Sequence, residues 1–433
     1  MNQKKVINAW CMYDWANSVY SLTITTAIFP IYYEAVTREA FGSDLVTFFG
    51  FQLPNTVLYS YSLSVSFLVV AAILPLLTGI ADYGGMKKFF LKVFATLGSI
   101  ACMMLFFFDG PNIEFGIACA VFASIGYSGS LVFYDAFLPE IVTKDRYDVV
   151  SAKGYSFGYI GSVILLVINL AMIQMPEFFG LEQGTLPSKI SFLMVGLWWI
   201  GFAQIPFKVL PNQERNRIDS TILVQGYREI RKVWFSLTDS PVLKKYLFSF
   251  FFYTMGVQTV MYLAPLYGTK VLQLATDKLI ITVLLIQIIA IPGSYGFAKL
   301  SQFKGNKFSL MVMLVIWIGV CYFAYNVTQE IEFYILASVV GLIMGGIQAL
   351  SRATYSKLIP QNTIDTASYF SFFDVTYNLG VVGGTFAYGL IEHLTGSMRN
   401  STIALAVFFI LGIVFLSMVN TPLLSPRGSK PED

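Results

Sequence analysis

The sequence is poor in charge, in cysteine and in histidine. Only 12% of its 433 residues are charged, whereas soluble domains carry roughly a quarter. Its four cysteines stand far apart and form no CxxC pair, so the sequence predicts neither a disulfide framework nor a zinc site. His393 is the only histidine, which excludes a site or a catalytic dyad built from two histidines. The net charge of +3 is too small to indicate a nucleic-acid partner, and we expect no cofactor.

Apolar residues are abundant instead: 56% of the chain is hydrophobic and 16% is aromatic. Because a soluble fold could not bury this much apolar surface, the sequence predicts an integral, multi-pass membrane protein in contact with the lipid bilayer. Apolar runs of about 20 residues, enough to cross a hydrocarbon core of about 30 Å, recur about twelve times. The approximate spans are 10–35, 57–80, 89–108, 113–135, 153–173, 189–210, 246–268, 279–300, 308–326, 333–352, 367–391 and 402–422.

The first apolar run is predicted to remain in the protein. It resembles a secretory signal because "MNQKK" precedes it, but Asp14 and Asn17 interrupt it. It also continues past Pro30, and no A-x-A cleavage site follows. We therefore interpret it as a first membrane helix and not as a cleaved signal.

The basic residues are distributed unevenly between the loops. If both termini are cytoplasmic, all but five of the 28 lysines and arginines fall on the cytoplasmic side. The exceptions are Arg38, Lys189, Lys270, Lys278 and Arg399. This bias is typical of the positive-inside rule, so we expect both termini in the cytoplasm.

A long polar stretch divides the predicted spans six and six. The division assigns an N-terminal half to 1–210, a cytoplasmic linker to 211–245, a C-terminal half to 246–422 and a cytoplasmic tail to 423–433. The fold prediction is therefore an all-α membrane protein of about twelve transmembrane helices in two six-helix halves.

The linker contains an amphipathic pattern. Its apolar residues repeat at helical spacing and lie opposite a basic face formed by Arg228, Arg231 and Lys232. The apolar positions are Leu223, Tyr227, Ile230, Trp234 and Leu237. This pattern favours a helix lying on the cytoplasmic membrane surface, and the alternative is a solvated linker helix without lipid contact.

The two halves resemble each other at two positions. "TGIADYGGMKKF" follows the second span and "AKLSQFKGNKF" follows the eighth, and aligning Gly85 with Gly305 places Lys87 on Lys307 at an offset of 220. "FLPEI" and "KLIPQ" follow the fourth and tenth spans at an offset of 221. Two landmarks at nearly one offset indicate a duplicated six-helix unit.

Six plus six helices with this loop resemble the major facilitator superfamily. The family's loop signature is Gly, three residues, Asp, two residues, Gly and then basic residues. This sequence keeps Asp82, Gly85, Lys87 and Lys88, and departs from the signature at Thr78, Tyr83 and Met86. The resemblance implies a cytoplasmic gating loop that latches one half against the other. In the second copy Gln302 replaces the aspartate, so we expect a lopsided latch.

A narrower resemblance covers residues 1 to about 422. It is carried by "AWCMYDWANSVY", "YDAFLPEI", "GYSFGYIGS" and "GGIQALSRATYSKLIP". These strings are similar to the vacuole-effluxer branch (autophagy-related amino-acid effluxers) and its bacterial relatives. The resemblance implies a carrier of small molecules in a bacterial inner membrane, but it does not transfer a substrate.

Helix 1 carries polar residues at one helical spacing. Asp14, Ser18, Ser21 and Thr25 follow i, i+4, i+7 and i+11, with Asn17 alongside. A membrane-buried aspartate costs roughly 2.5–3.5 kcal/mol at the helix centre, so Asp14 should face protein or water. In the superfamily, helices 1, 4, 7 and 10 line the central cavity. The candidate substrate or proton residues are Asp14, Asn17, Ser21, Tyr134, Thr254, Gln258, Tyr262, Gln348, Arg352, Asp374 and Asn378.

Structural roles compete with these functional ones. Asp14 either titrates during transport or locks helix 1 to Asn17 or to a neighbouring helix end. Asp374 either titrates or forms a static ion pair with Arg352. Asp135, where helix 4 ends, is expected to be a solvated cap.

These observations favour a secondary active transporter that works by alternating access, as a monomer, on a small solute and with protons as the candidate coupling ion. No P-loop appears, so direct ATP drive is not expected, and no catalytic constellation indicates an enzyme. The first hypothesis for its function is an amino-acid effluxer. The alternatives are an exporter of varied hydrophobic compounds and a non-transporting membrane sensor.

Overall fold

The computed structural model describes residues 1–212, 222–361, 363–395, 397–420 and 422–424. Part of the predicted linker (213–221) and most of the predicted tail (425–433) lie outside the described residues. The described chain is mostly helical. Its one described sheet is a hairpin of β1 (Leu45–Phe48) and β2 (Phe51–Pro54), with Phe48 opposite Phe51.

The helices follow the apolar runs closely. Their bounds are α1 (Lys4–Val19), a π-helix (Tyr20–Ala27), α2 (Phe29–Phe41), α3 (Asn55–Gly84), α4 (Lys87–Met104), α5 (Ile113–Asp135), α6 (Leu138–Ile141), α7 (Tyr147–Gln174), α8 (Leu186–Val209), α9 (Ile222–Asp239), α10 (Pro241–Leu272), α11 (Thr276–Lys304), α12 (Asn306–Asn326), α13 (Glu330–Leu358), α14 (Thr366–Thr395) and α15 (Met398–Ser417). Short 3₁₀ helices lie at Leu105–Phe107, Lys144–Arg146, Pro176–Phe179 and Pro422–Leu424.

Local signals mark several helix ends. Ser240 caps α10 by accepting a hydrogen bond from the Leu243 amide, and Pro241 occupies the first turn, where no amide donor is needed. Gln329 and Glu332 form a reciprocal capping box at the start of α13. These caps fix where the apolar segments begin.

Nine helical segments of the described chain are long and apolar enough to cross a membrane. They are Asn55–Gly84, Lys87–Phe107, Ile113–Ile141, Lys144–Gln174, Leu186–Val209, Lys278–Lys304, Asn306–Asn326, Glu330–Leu358 and Met398–Ser417. Helices also cover the other three predicted spans at 10–35, 246–268 and 367–391, although these are not among the nine. The count of twelve and the side of the termini remain predictions.

The first predicted span is not one regular α-helix. After Val19 the chain winds as a π-helix, in which the Ile28 amide donates to the Thr23 carbonyl at 2.9 Å. Because a π-turn is wider than an α-turn, the spacing that aligns Asp14 with Ser21 and Thr25 does not hold past Val19. Asp14 is buried, whereas Ser21 and Thr25 are half-buried.

The chain forms two compact units. The N-terminal unit comprises Lys4–Tyr134 and Phe157–Gly226, and the C-terminal unit comprises Met1–Gln3, Asp135–Ser156 and Tyr227–Asp433. The short segment Asp135–Ser156 therefore packs with helices that are remote in sequence. The domain boundaries drawn from the sequence remain a prediction.

Each unit has an aromatic core. Trp10, Tyr13 and Trp199 are fully buried in the N-terminal unit, and Tyr246 and Trp317 in the C-terminal unit. All four cysteines of the chain are buried, and none of them is in a disulfide. Within the described residues, no group of three or more His, Cys, Asp and Glu side chains could hold a metal ion.

Candidate functional site

Asp14 lies in an aromatic enclosure in the N-terminal unit. Its side chain is 4% exposed, and the Tyr134 hydroxyl donates to its Oδ2 at 2.7 Å. The Trp10 indole stacks on the Tyr134 ring at 4.5 Å and donates through Nε1 to the Tyr134 carbonyl at 3.0 Å. The Tyr13 ring lies 4.9 Å from the Tyr134 ring. Helix α1 thus presents a buried carboxylate to the end of α5.

Asn17, one turn further along α1, has an unsatisfied donor. It is 1% exposed, and its Oδ1 accepts a hydrogen bond from Ser18 Oγ at 3.4 Å. Its Nδ2 is buried without a partner among the described groups. Buried polar atoms are nearly always paired, so this donor makes Asn17 a candidate for binding water or a ligand.

Glycines of α7 allow α1 to pack closely. A Cβ on Gly158 would lie 2.4 Å from Ser18 Oγ, and a Cβ on Gly161 would lie 2.8 Å from the Trp15 carbonyl oxygen. Larger residues would push α1 away and displace the buried polar residues that it carries.

Arg352 is a buried cation of the C-terminal unit. It is 1% exposed, and its Nη1 donates to Asp135 Oδ1 at 2.9 Å. Its Nε and Nη2 donate to Ser151 Oγ and the Ser151 carbonyl at 2.9 and 3.0 Å. The guanidinium also lies 4.3 Å from the centre of the Tyr155 ring. The expectation that Asp135 is a solvated cap was therefore wrong, because its carboxylate forms the ion pair with Arg352.

Asp374 and Asn378 lie one turn apart on α14. Asn378 Nδ2 donates to Asp374 Oδ2 at 2.8 Å, and Asp374 is half-buried. The Asp135 carboxylate also acts electrostatically on Asp374. Arg352, the cation considered as an ion-pair partner of Asp374, is bound to Asp135 instead. The two carboxylates, Asp135 and Asp374, therefore have one arginine between them.

A second buried polar cluster, which sequence reasoning missed, surrounds Asp148. Asp148, in the first turn of α7, is 2% exposed. Its carboxylate accepts hydrogen bonds from Lys357 Nζ at 2.7 Å, Asn306 Nδ2 at 2.8 Å and Ser301 Oγ at 2.9 Å. Lys357 Nζ also donates to Asn306 Oδ1 at 2.6 Å.

The repeat in the sequence was the available signal for this cluster. Ser301 and Asn306 lie in the turn after the eighth span, which repeats the turn after the second span. Because the polar group of such a turn can face the start of another helix, the repeat predicts a polar partner there. Asp148 stands at such a start.

The polar residues predicted on α10 do not share one environment. Thr254 is buried against Gly380, where an added Cβ would lie 3.1 Å from the Thr254 methyl group. Gln258 is also buried, whereas Tyr262 is 37% exposed. On α13, Gln348 is half-buried one turn before Arg352.

Two tyrosines of α10 bind Ser351, and sequence reasoning missed both. The Tyr253 hydroxyl lies 2.7 Å from Ser351 Oγ, and the Tyr246 hydroxyl donates to the Ser351 carbonyl at 2.8 Å. Both lie in the predicted span 246–268 but were not singled out, because hydroxyl partners on another helix leave no periodic signal.

The predicted gating loop is a tight turn between α3 and α4. Gly85 has a φ of 62° and ends α3 in the left-handed conformation. Asp82 and Lys87 form an ion pair of 3.1 Å in which both side chains are fully buried. Lys88 Nζ donates to the Leu210 carbonyl at 2.7 Å. The residues that match the signature therefore form a tight turn with a buried ion pair.

Comparison with known proteins identifies related sequences over almost the whole chain. A family model described as "Vacuole effluxer Atg22 like" matches residues 2–423. The MFS-type transporter YxiO of Bacillus subtilis strain 168 is 31% identical over 95% of this chain and 94% of its own. Autophagy-related protein 22 of Pichia angusta is 22% identical over 93% of this chain and 89% of its own.

Solved structures of low sequence identity share the fold. The human organic anion transporter MFSD10 (TETRAN) matches with a TM-score of 0.71 at 10% identity, over 96% of this chain and 100% of its own. The Escherichia coli fucose:proton symporter FucP matches with a TM-score of 0.68 at 12% identity, over 96% of this chain and 98% of its own.

Proposed function

Because this chain belongs to the Atg22-like vacuole effluxer family of major facilitator transporters, we propose that it is a secondary active transporter of a small solute that works by alternating access. Its relatives are transporters and not enzymes. The proposal includes twelve membrane helices in two halves, cytoplasmic termini, a monomeric state and a bacterial inner membrane. The positive-inside bias supports the cytoplasmic termini, and the duplicated loops support the two halves.

The buried carboxylate of Asp14 carries the proposal of proton coupling. It lies on a membrane helix, receives a hydrogen bond from Tyr134 and neighbours the unpartnered amide of Asn17. An ionisable group in this position is expensive, which favours a functional role. One proton crossing about 100 mV supplies about 2.3 kcal/mol, enough for roughly fifty-fold accumulation.

The arrangement around Arg352 supports a second exchange of charge. Asp135 and Asp374 interact electrostatically, and Arg352 is bound to Asp135 in this state. A transport cycle could move the arginine, a proton or a charged substrate between these two carboxylates. Because like charges repel in a weakly solvated site, neutralising one carboxylate stabilises the ionised form of the other.

The Asp148 cluster supports a gate. Its acid comes from Asp135–Ser156, which the sequence assigns to the N-terminal half, while Asn306 and Lys357 come from the C-terminal half. In this structure the segment packs with the C-terminal unit, and if it moves with the rest of the N-terminal half during transport, these hydrogen bonds must break when this side opens. We therefore assign the cluster to the latch that holds this side closed.

An amino-acid-like substrate is the first candidate. An amphoteric molecule needs a cation and a carboxylate to bind it, and Arg352 and Asp374 offer both chemistries. The alternative is an exporter of varied hydrophobic compounds, which the aromatic residues around Asp14 favour.

The Asp14→Asn variant tests the proposal in proteoliposomes. A thermal-shift screen of purified protein against amino acids, dipeptides, sugars and drugs first identifies a substrate, because a ligand that binds only the folded state raises the melting temperature. We expect Asp14→Asn to lose accumulation driven by a pH gradient and to keep counterflow exchange, since the amide cannot carry a proton. The matched control is Asp44→Asn, at a surface ion pair with Arg38.

Full gradient-driven accumulation by Asp14→Asn would contradict coupling through Asp14. Loss of counterflow together with accumulation would assign Asp14 to binding or folding. Normal transport by Asp44→Asn is required for either interpretation.

A further inference from the structure

Helix α9 has one face on the protein and another that is open. Val233 and Leu237 are buried, and Ser236 shares a hydrogen bond of 2.7 Å with the Tyr369 hydroxyl of α14. Lys232 Nζ donates to Asp365 Oδ2 at 2.6 Å, immediately before α14 begins. These contacts fix the orientation of α9 about its own axis.

The open face combines large aromatic side chains with arginines. Tyr227 is 61% exposed, Trp234 53% and Phe235 49%. Arg228 and Arg231 are also exposed, and the Arg231 guanidinium lies 5.5 Å from the centre of the Phe235 ring. Tyr227, Arg231 and Trp234 follow i, i+4 and i+7, which places them on one side of the helix. The expectation that Arg231 lies opposite the apolar positions was therefore wrong. We call these five residues the α9 patch.

Helix α9 begins level with the end of a membrane-crossing helix. A Cβ on Gly226 would lie 2.7 Å from the Ile80 side chain. Ile80 is four residues from the end of α3 at Gly84, which is about 6 Å at a rise of 1.5 Å per residue. With α3 crossing the bilayer as proposed, the first turn of α9 lies near the headgroup region, where aromatic and basic side chains concentrate.

We propose that the α9 patch docks on the anionic lipid headgroups of the adjoining leaflet. Tyr227 and Trp234 would enter the boundary between headgroups and acyl chains, and Arg228 and Arg231 would bind lipid phosphates. The Trp234 ring packs at 5.7 Å on the Phe372 ring of α14, but about half of the side chain stays exposed. This exposed aromatic surface favours a partner less polar than water, and the arginines make that partner anionic. The proposal rests on the membrane topology of the proposed function.

The contact has a consequence for α14. Lys232 is held by Asp365 through a hydrogen bond that raises the pKa of the lysine, so Lys232 stays charged across the neutral range. A lipid-bound α9 therefore restrains the start of α14, the helix that carries Asp374 and Asn378 further along.

The only exposed tryptophan of the chain provides the reporter. Of the six tryptophans, all of them described, Trp234 alone is exposed. The full-length protein is placed in nanodiscs of phosphatidylcholine and phosphatidylglycerol, and acyl-brominated forms of each lipid are introduced in turn. The Trp234 signal is the emission of the wild type minus that of Trp234→Phe.

We expect brominated phosphatidylglycerol to quench the Trp234 signal more strongly than brominated phosphatidylcholine. Replacing both arginines, as Arg228→Gln with Arg231→Gln, should lower this preference by about fivefold per arginine. This factor corresponds to about 1 kcal/mol of binding free energy per basic residue near an anionic surface. The lysine versions, Arg228→Lys with Arg231→Lys, keep the charge and should keep the preference. The matched control, Lys299→Gln with Lys304→Gln, removes two exposed cations elsewhere and should change nothing.

Quenching by neither lipid would show a solvated helix, and equal quenching by both would remove the anionic preference. Either result overturns the proposal. The measurement needs no transport, so its failure is distinguishable from failure of the proposed transport function.

Discussion

The two copies of the repeated loop balance their charges differently. In the first copy, Asp82 and Lys87 are five residues apart and pair with each other at 3.1 Å. In the second copy Gln302 stands in place of the acid. The carboxylate there is Asp148, which lies more than 150 residues away in sequence and binds Ser301 and Asn306 beside that position.

The difference shows that a duplicated loop can keep a polar contact while the acid moves to another segment. The first turn contains its own counter-ion, so its ion pair can survive a movement of the surrounding helices. The second is satisfied only while α7 begins beside α11 and α13. The two copies therefore differ in where the acid lies. It is within the loop in the first copy, at Asp82, and in a distant segment in the second copy, at Asp148.

The largest effect is expected from separating Asp148 and Lys357. Removing one partner of a buried ion pair costs about 3–5 kcal/mol, whereas replacing both with apolar residues is often neutral. Asp148→Leu should lower the melting temperature strongly, and Asp148→Leu with Lys357→Met should recover most of the loss. Thermal unfolding of the purified variants measures both, with Lys304→Met as an exposed control.

A double variant no more stable than Asp148→Leu would show that the two side chains are not energetically coupled. In that case Ser301 and Asn306 would account for the effect of Asp148, and the second loop would resemble the first more than the contacts suggest.

A smaller effect separates the two glycines. Gly305 has a φ of 85° and a ψ of 159°, a region essentially confined to glycine, whereas Gly85 is left-handed with φ 62° and ψ 37°. Gly305→Ala should cost about 1–3 kcal/mol. Gly85→Asn should cost less than Gly305→Asn, because asparagine tolerates the left-handed region. Equal losses of melting temperature for the two asparagine variants would contradict this ranking.

The smallest effect is expected at Gln302. This side chain is half-buried, and the neighbouring Ser301 and Asn306 make the contacts with Asp148. Gln302→Ala should change the free energy of unfolding by no more than about 0.5 kcal/mol. A loss as large as that of Asp148→Leu would mean that Gln302 has taken over the role of the missing aspartate.

Helix positions could be predicted from the sequence because each depends on a local run. The predicted span 113–135 coincides with α5 (Ile113–Asp135), and 57–80 lies within α3 (Asn55–Gly84). The amphipathic spacing in the linker likewise falls on α9. The π-helix after Val19 was missed because a wider turn changes the hydrogen-bond ladder without changing composition.

Partners of the polar residues were harder to predict. The polar spacing singled out Asp14 and Arg352, but hydrogen bonds to Tyr134 and Asp135 depend on helices that are far apart in sequence. For the same reason the sequence could not decide whether Arg352 pairs with Asp374 or with Asp135, because a charge count names the available ions but not their distances. Finding Asp148 required asking which polar group packs against the second copy of the repeated loop, and a comparison of the two copies as sequences does not answer that question.

The burial of all four cysteines has a practical consequence for mapping topology. Cys11, Cys102, Cys119 and Cys321 are shielded from water-soluble maleimides by the protein around them. Labelling experiments can therefore start from the natural chain, whose own cysteines do not react, and need no cysteine-free variant. A single cysteine introduced into any exposed loop would be the one reactive thiol, and labelling intact cells would assign that loop to one side of the membrane.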